Sequence, residues 1–82
     1  MTRKEVFDEV LNIIGPFAVN KEALEGANEQ TNILTGLKVN SARLVDIILD
    51  FEDKFEIEID DDAADEIQTL GDAVDKILEI KG

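Results

Sequence analysis

The chain has no cysteine, no histidine, no tryptophan and no tyrosine, and it holds one proline and one serine among its 82 residues. Without cysteine there is no disulfide, no thiolate zinc site and no thiol redox chemistry, so cysteine usage gives no redox compartment. Without histidine, the lone serine has no imidazole to take its proton. Lys38 and Lys54 are alternative bases in type, but no pattern around them marks a buried, activated amine. The chain reads as a protein that is not an enzyme. No apolar run approaches the length of a membrane span, and Met1-Thr-Arg-Lys leads into a helical pattern in place of a signal sequence. The expectation is a soluble, cytoplasmic monomer. Bases are also scarce: eight Lys and Arg stand against 20 Asp and Glu, a net charge of -12. Phosphate binding needs a basic footprint, so nucleic acid is set aside as a ligand.

What remains is an apolar fraction of 44% whose only aromatics are four phenylalanines, which implies an aliphatic core. The length suits a single domain, residues 1–82, with one modest core. The acids are unevenly placed: eleven of the 20 lie between Asp46 and Glu66, where Lys54 is the only base. A basic protein surface is the natural partner for such a segment, with encounter weakened by salt. The plainer reading is that the charge keeps the chain soluble; its clustering around one predicted helix favours the first.

Four helices are predicted. Thr2-Arg-Lys-Glu5 has the form of a capping box. Behind it Phe7, Leu11 and Ile14 fall at i, i+4, i+7, flanked by Val6, Val10 and Ile13. Gly15-Pro16 ends that helix, since proline cannot continue the ladder. Residues 17–40 form a long irregular connection, with only a weak helical signal over Lys21–Glu25; such a connection is either functional or packs on the core. A second helix starts near Ser41 and runs to Lys54 or Phe55. Glu56-Ile-Glu-Ile59 alternates like a strand, but no second strand exists to pair with it, so it reads as a connector burying Ile57 and Ile59. Asp60 to Asp62 cap a short helix through Ile67, and Thr69-Leu-Gly-Asp72 opens the last one, with Leu70, Ala73, Val74, Ile77 and Leu78 facing inward. The fold class is all-α: three longer helices and one short one, with a long loop after the first.

On a wheel of 100° per residue, Leu44, Ile47, Ile48, Phe51 and Phe55 occupy an arc of roughly 100°, the core face. Val45 and Leu49 fall outside it, on the side of Ala42 and beside Asp46, Asp50 and Asp53. An outward apolar stripe bordered by carboxylates suits transient docking, the acids steering and the small apolars supplying contact. Alternatively, the long loop folds over Val45 and Leu49 and buries them.

Ser41 is the other candidate. A hydroxyl at a helix start sits where backbone N–H groups lack partners and the macrodipole is positive, a place that stabilises a phosphodiester. A plain N-cap, by Ser41 or Asn40, requires the same location. Asp60-Asp-Asp does not make an EF-hand loop, because the sixth position is Asp65 where glycine is needed and the twelfth is Gly71 where glutamate is needed.

These residues resemble the acyl carrier proteins over nearly the whole chain. Ile13-Ile-Gly15 is similar to the family's first helix ending, and Leu37 to Ile77 aligns without gaps from the attachment region onward. "FEDKFEIEIDDDAADEI" and "TLGDAV" are similar to the end of the second helix and the opening of the last. The resemblance implies a four-helix acyl-carrier bundle with 4'-phosphopantetheine, taken from coenzyme A, attached to Ser41. A Mg²⁺-dependent phosphopantetheinyl transferase would install it, and its thiol would hold acyl groups as thioesters in a fatty-acid, lipid or polyketide-type pathway. It also implies partners with basic docking surfaces, such as an acyl-ACP synthetase, a ketosynthase or an acyltransferase. Ala42, Val45, Asp46, Leu49, Glu52 and Asp53 match the family's partner-binding positions; no metal ligand is implied. The attachment motif departs from the family's Asp-Ser-Leu, reading Asn40-Ser41-Ala42, with Lys38 in place of a glycine and Arg43 in place of an acid. These changes imply a specialised member. The alternative is an unmodified module of the same fold that docks through its acidic helix.

Overall fold

The computed structural model describes residues 1–81. Thr2 and Glu5 open α1 (Arg3–Ile14) with a reciprocal capping box: the Glu5 N–H donates to Thr2 Oγ1 at 3.2 Å and the Thr2 N–H to Glu5 Oε1 at 2.8 Å. Two orphan donors of the first turn are thereby satisfied. Gly15 does not break the chain abruptly. It stays right-handed and starts a 3₁₀ turn, Gly15–Phe17, that carries Pro16 where the missing N–H costs nothing. A short α2 (Lys21–Glu25) follows, capped by Asn20, whose Oδ1 accepts from the Ala23 N–H at 3.1 Å.

A second 3₁₀ turn, Ser41–Arg43, runs into α3 (Leu44–Phe55). Then come a short α4 (Asp61–Asp65) and α5 (Leu70–Lys81). The architecture is the expected all-α one with three long helices, but the weak signal at Lys21–Glu25 is a real helix. The short helices therefore number two, and the second stops at Asp65, before Ile67. Glu56-Ile-Glu-Ile59 is the expected connector: Ile59 is buried and Ile57 half-buried.

α1 packs against both α3 and α5. On α1 the fully buried line is Val6, Val10 and Ile14, while Phe7, Leu11 and Ile13 pack only partly buried around it. The predicted seam through Phe7 and Leu11 is thus one residue off, because six apolar positions make an arc too broad to show its own centre. α3 turns Ile47, Ile48, Phe51 and Phe55 inward as expected, with Leu44 half-buried at the edge. Phe51 is wholly buried and its ring centroid lies 6.5 Å from that of Phe55; burying one such side chain contributes about 1.5–3 kcal/mol. Leu70, Ala73, Val74 and Ile77 complete the core from α5, with Leu78 half-buried.

The long connection packs on this core through Ala18, Ile33, Leu37 and Val39. Two antiparallel backbone clasps hold it. In one, the Val19 and Asn20 N–H groups donate to the Lys38 and Leu37 carbonyls at 3.3 and 3.1 Å. In the other, Gly71, Leu70 and Ile33 donate to the carbonyls of Glu29, Thr31 and Gln68 at 2.8, 3.0 and 2.9 Å. Arg3 adds an exposed ion-pair link, bonding Glu29 on the second clasp and Asp75 on α5. Its guanidinium holds the Glu29 carboxyl below the ordinary range.

Candidate functional site

Two local choices fix the position of Ser41. Asn40 is extended, and its Oδ1 accepts from the Ala42 N–H at 2.8 Å while its carbonyl accepts from the Arg43 N–H at 2.8 Å. The Leu44 N–H donates to the Ser41 carbonyl. Asn40 is therefore the cap, and Ser41, exposed, is the first residue of the turn it closes. The capping question left open by the sequence is settled in favour of Asn40. One expectation changes with it. The amides of Ala42 and Arg43 already have partners, so a group on Ser41 Oγ would gain from the positive end of α3 and not from those two N–H groups.

Beyond Ser41, α3 shows the outward stripe. Val45 is 66% exposed and Leu49 56% exposed, and Ala42 is exposed beside them. The long loop lies elsewhere and does not cover them. Of the three acids expected to contact partners, only Asp53 stands free of a described bond. Arg43 Nη1 reaches Asp46 Oδ2 at 3.1 Å. Glu52 Oε2 accepts from the Ile59 N–H at 2.8 Å, so that carboxylate also ties down the connector. Asp50 is exposed on the same helix.

A cleft of about 330 Å³ opens at Ser41 and runs between α3 and α4. Its apolar lining is Leu44, Val45, Ile48, Leu49, Ile59 and Ala64, with Glu52, Asp61 and Asp65 among its polar members. Sequence reasoning placed Ile48 and Ile59 in the core only; what it missed is that both also border a space reached from the serine. The chemistry of this donor set is plain. A free primary hydroxyl sits on a turn whose amides are satisfied by a neighbour, next to a cleft with an apolar lining and an exposed apolar stripe. That fits a covalently attached, flexible group. Among the described residues no cluster of three or more carboxylates is placed to hold a metal ion.

The family model described as "Phosphopantetheine attachment site" matches residues 5–77. The chain is 39% identical over 83 residues to the acyl carrier protein of Lactobacillus acidophilus, covering 100% of both. It is 34% identical over 79 residues to that of a Picosynechococcus species, covering 96% of this chain and 95% of the relative. The solved acyl carrier protein of Enterococcus faecalis superposes with a TM-score of 0.80 at 35% identity, covering 98% of this chain and 99% of that one. Full-length relatives, a matched attachment domain and a shared fold agree: the chain belongs to the acyl carrier protein family.

Proposed function

We propose that this chain is a cytoplasmic carrier domain, residues 1–82, with phosphopantetheine attached through Ser41 Oγ. The observation that carries the reading is the arrangement at the head of α3: an exposed serine, capped from outside by Asn40, between an apolar cleft and the stripe of Ala42, Val45 and Leu49. When bound, the arm supplies the thiol on which an acyl group is held. The chain's own residues do the rest. Asn40 holds the turn so that the Ser41 hydroxyl faces outward. Leu44, Ile48, Ile59 and Ala64 offer apolar surface beside it. Val45 and Leu49 give a partner contact area, and Asp46, Glu52 and Asp53 give it a negative field.

The partners on this reading are a phosphopantetheinyl transferase and then acyl-loading and acyl-using enzymes with basic faces, among them an acyl-ACP synthetase, a ketosynthase or an acyltransferase. Incubating the apo protein with coenzyme A, Mg²⁺ and a transferase, and recording intact mass, tests the attachment. Wild type gains one phosphopantetheine and Ser41→Ala gains none. An equal gain on both proteins would place the arm elsewhere.

A further inference from the structure

The chain has eight Lys and Arg side chains, and among the described residues seven of them reach a carboxylate or a backbone carbonyl. Lys38 is the remaining one. An acidic chain offers partners everywhere, yet this cation is exposed and, among the described residues, unpaired three residues before Ser41. It also sits at φ 57, a left-handed conformation that disfavours any residue with a Cβ. A strained, unpaired charge beside an attachment point is the kind of outlier that points to recognition.

Its neighbour across the first clasp is Val19, which is 75% exposed and donates its N–H to the Lys38 carbonyl. Val19 has no packing role that would explain a large apolar side chain there. The serine is thus bordered by two exposed patches. The one on α3 is apolar and acidic; the one on the clasp is apolar with a free cation.

We infer that the transferase serving Ser41 spans both patches and presents a carboxylate to Lys38 and an apolar side chain to Val19. Its docking face is basic toward α3 and acidic toward the clasp. This inference rests on the attachment reading given above and adds the polarity of the partner. A uniformly basic face meets repulsion at Lys38, so the lysine selects among transferases by penalising the wrong one.

The test uses the phosphopantetheinyl transferase encoded by the organism that makes this chain, run beside one with a uniformly basic docking face. The substrates are apo wild type, Lys38→Gln, Lys38→Glu and Val19→Ser, with thermal melts confirming that each is folded. With the native transferase, Lys38→Glu lowers kcat/KM about tenfold, Lys38→Gln less, and the gap narrows at about 0.5 M salt. Val19→Ser lowers it about threefold, in line with loss of a small apolar contact. With the uniformly basic enzyme, Lys38→Glu is modified faster than wild type. Lysine substitution of the transferase carboxylate facing Lys38 restores the Lys38→Glu rate. Native-enzyme rates that ignore both Lys38 variants would overturn the inference while leaving the attachment intact. Unchanged rates together with a Lys38 Nζ resonance that shifts on modification would overturn it in favour of a contact with the arm's phosphodiester. Failure of both enzymes to modify wild type would overturn the attachment reading itself, and the inference with it.

Discussion

Arg43 Nη1 lies 3.1 Å from Asp46 Oδ2, so the helix that carries the exposed apolar stripe begins with an internal ion pair. Both side chains are about half exposed or more, and such a pair contributes roughly 0.2–1 kcal/mol to stability. Its larger consequence is for the field a partner meets, because Arg43 offsets the first carboxylate after Ser41 in the chain. Arg43→Ala should therefore speed association with a basic-faced enzyme about two- to fivefold at low salt, with the gain fading as salt approaches 0.5 M. A second signature is coupling: Asp46→Lys should cost more in the Arg43→Ala background than in wild type. Association rates from stopped-flow fluorescence at two salt concentrations decide it. Equal penalties in the two backgrounds would show that the pair does not shield Asp46.

The structural bond of Glu52 can be separated from the docking role proposed for it. Its Oε2 accepts the Ile59 N–H at 2.8 Å in a half-buried setting, which fixes the connector that in turn buries Ile59. Hydrogen bonds to a charged group contribute about 1.5–3 kcal/mol. Glu52→Ala should lower the unfolding free energy by about that much, and Glu52→Gln, which keeps an acceptor, by clearly less. Urea denaturation gives both values. If Glu52→Gln keeps stability but weakens partner binding, the charge acts in docking as well; if Ala and Gln destabilise equally, the connector bond is not what holds Ile59.

The devices that the sequence disclosed are those written within three or four residues. Thr2 with Glu5, Asp60 before α4 and Thr69 with Asp72 are local patterns, and so is the inward arc of Ile47, Ile48, Phe51 and Phe55. What stayed hidden is long-range or backbone-borne. The clasps between 18–20 and 37–39 and between 29–33 and 68–71 are made of main-chain hydrogen bonds, which leave no side-chain signature. The left-handed backbone of Lys38 is invisible for the same reason, although the resemblance to a family with glycine there hinted at it. At the site, the exposed stripe was legible from the helical wheel, and Ser41 as the lone serine at the start of that helix. The Arg43–Asp46 and Glu52–Ile59 bonds were not, because side chains on one helix have several partners within reach and only packing selects among them.

Lys38 and Glu56 are the two non-glycine residues with positive φ, at 57° and 55°. Glu56 is the C-cap of α3, where glycine is the common choice. A Cβ in this region costs on the order of 1 kcal/mol, partly offset by the greater freedom of glycine in the unfolded chain. Lys38→Gly and Glu56→Gly should each raise stability by up to about 1 kcal/mol, or about 4–8 °C in Tm for a domain of this size. Glu56→Gly isolates the backbone effect, since it lies far from Ser41 in the chain. A fall in Tm for both would mean that their side chains contribute more than the strain removes.

Gly71 marks where the second clasp crosses the start of α5. A Cβ there would lie 2.8 Å from the Glu29 carbonyl oxygen, and its own N–H donates to that oxygen at 2.8 Å. Since the obstacle is backbone, relief requires the clasp to move, and overpacking of this kind costs about 1–3 kcal/mol. Gly71→Ala should lose that much in chemical denaturation and should speed amide hydrogen exchange at Leu70 and Ile33, the other donors of the clasp. Gly26, with nothing within 4 Å of an added Cβ and an ordinary negative φ of -97°, is the control. If Gly26→Ala and Gly71→Ala are equally stable, the crossing is not tight.

Asp72 gives the pH dependence a definite sign. Its Oδ2 accepts the N–H groups of Thr69 and Gln68 at 3.0 and 3.1 Å, and those bonds hold the carboxyl below its ordinary value of 3.8. A carboxyl lowered in the folded state contributes stability in full above the unfolded value and loses it as pH falls through the folded one. Overall stability is a poor readout, because acid also relieves the self-repulsion of a chain at -12, an opposing trend shared by every variant. The difference between wild type and Asp72→Asn removes that shared part. It should be constant from about pH 7 to pH 5 and shrink as pH drops through 4 toward 2, since a protonated Asp72 resembles asparagine. Urea unfolding of both proteins at matched pH values measures it. A difference that stays flat down to pH 2 would show that the charge on Asp72 contributes nothing to capping α5.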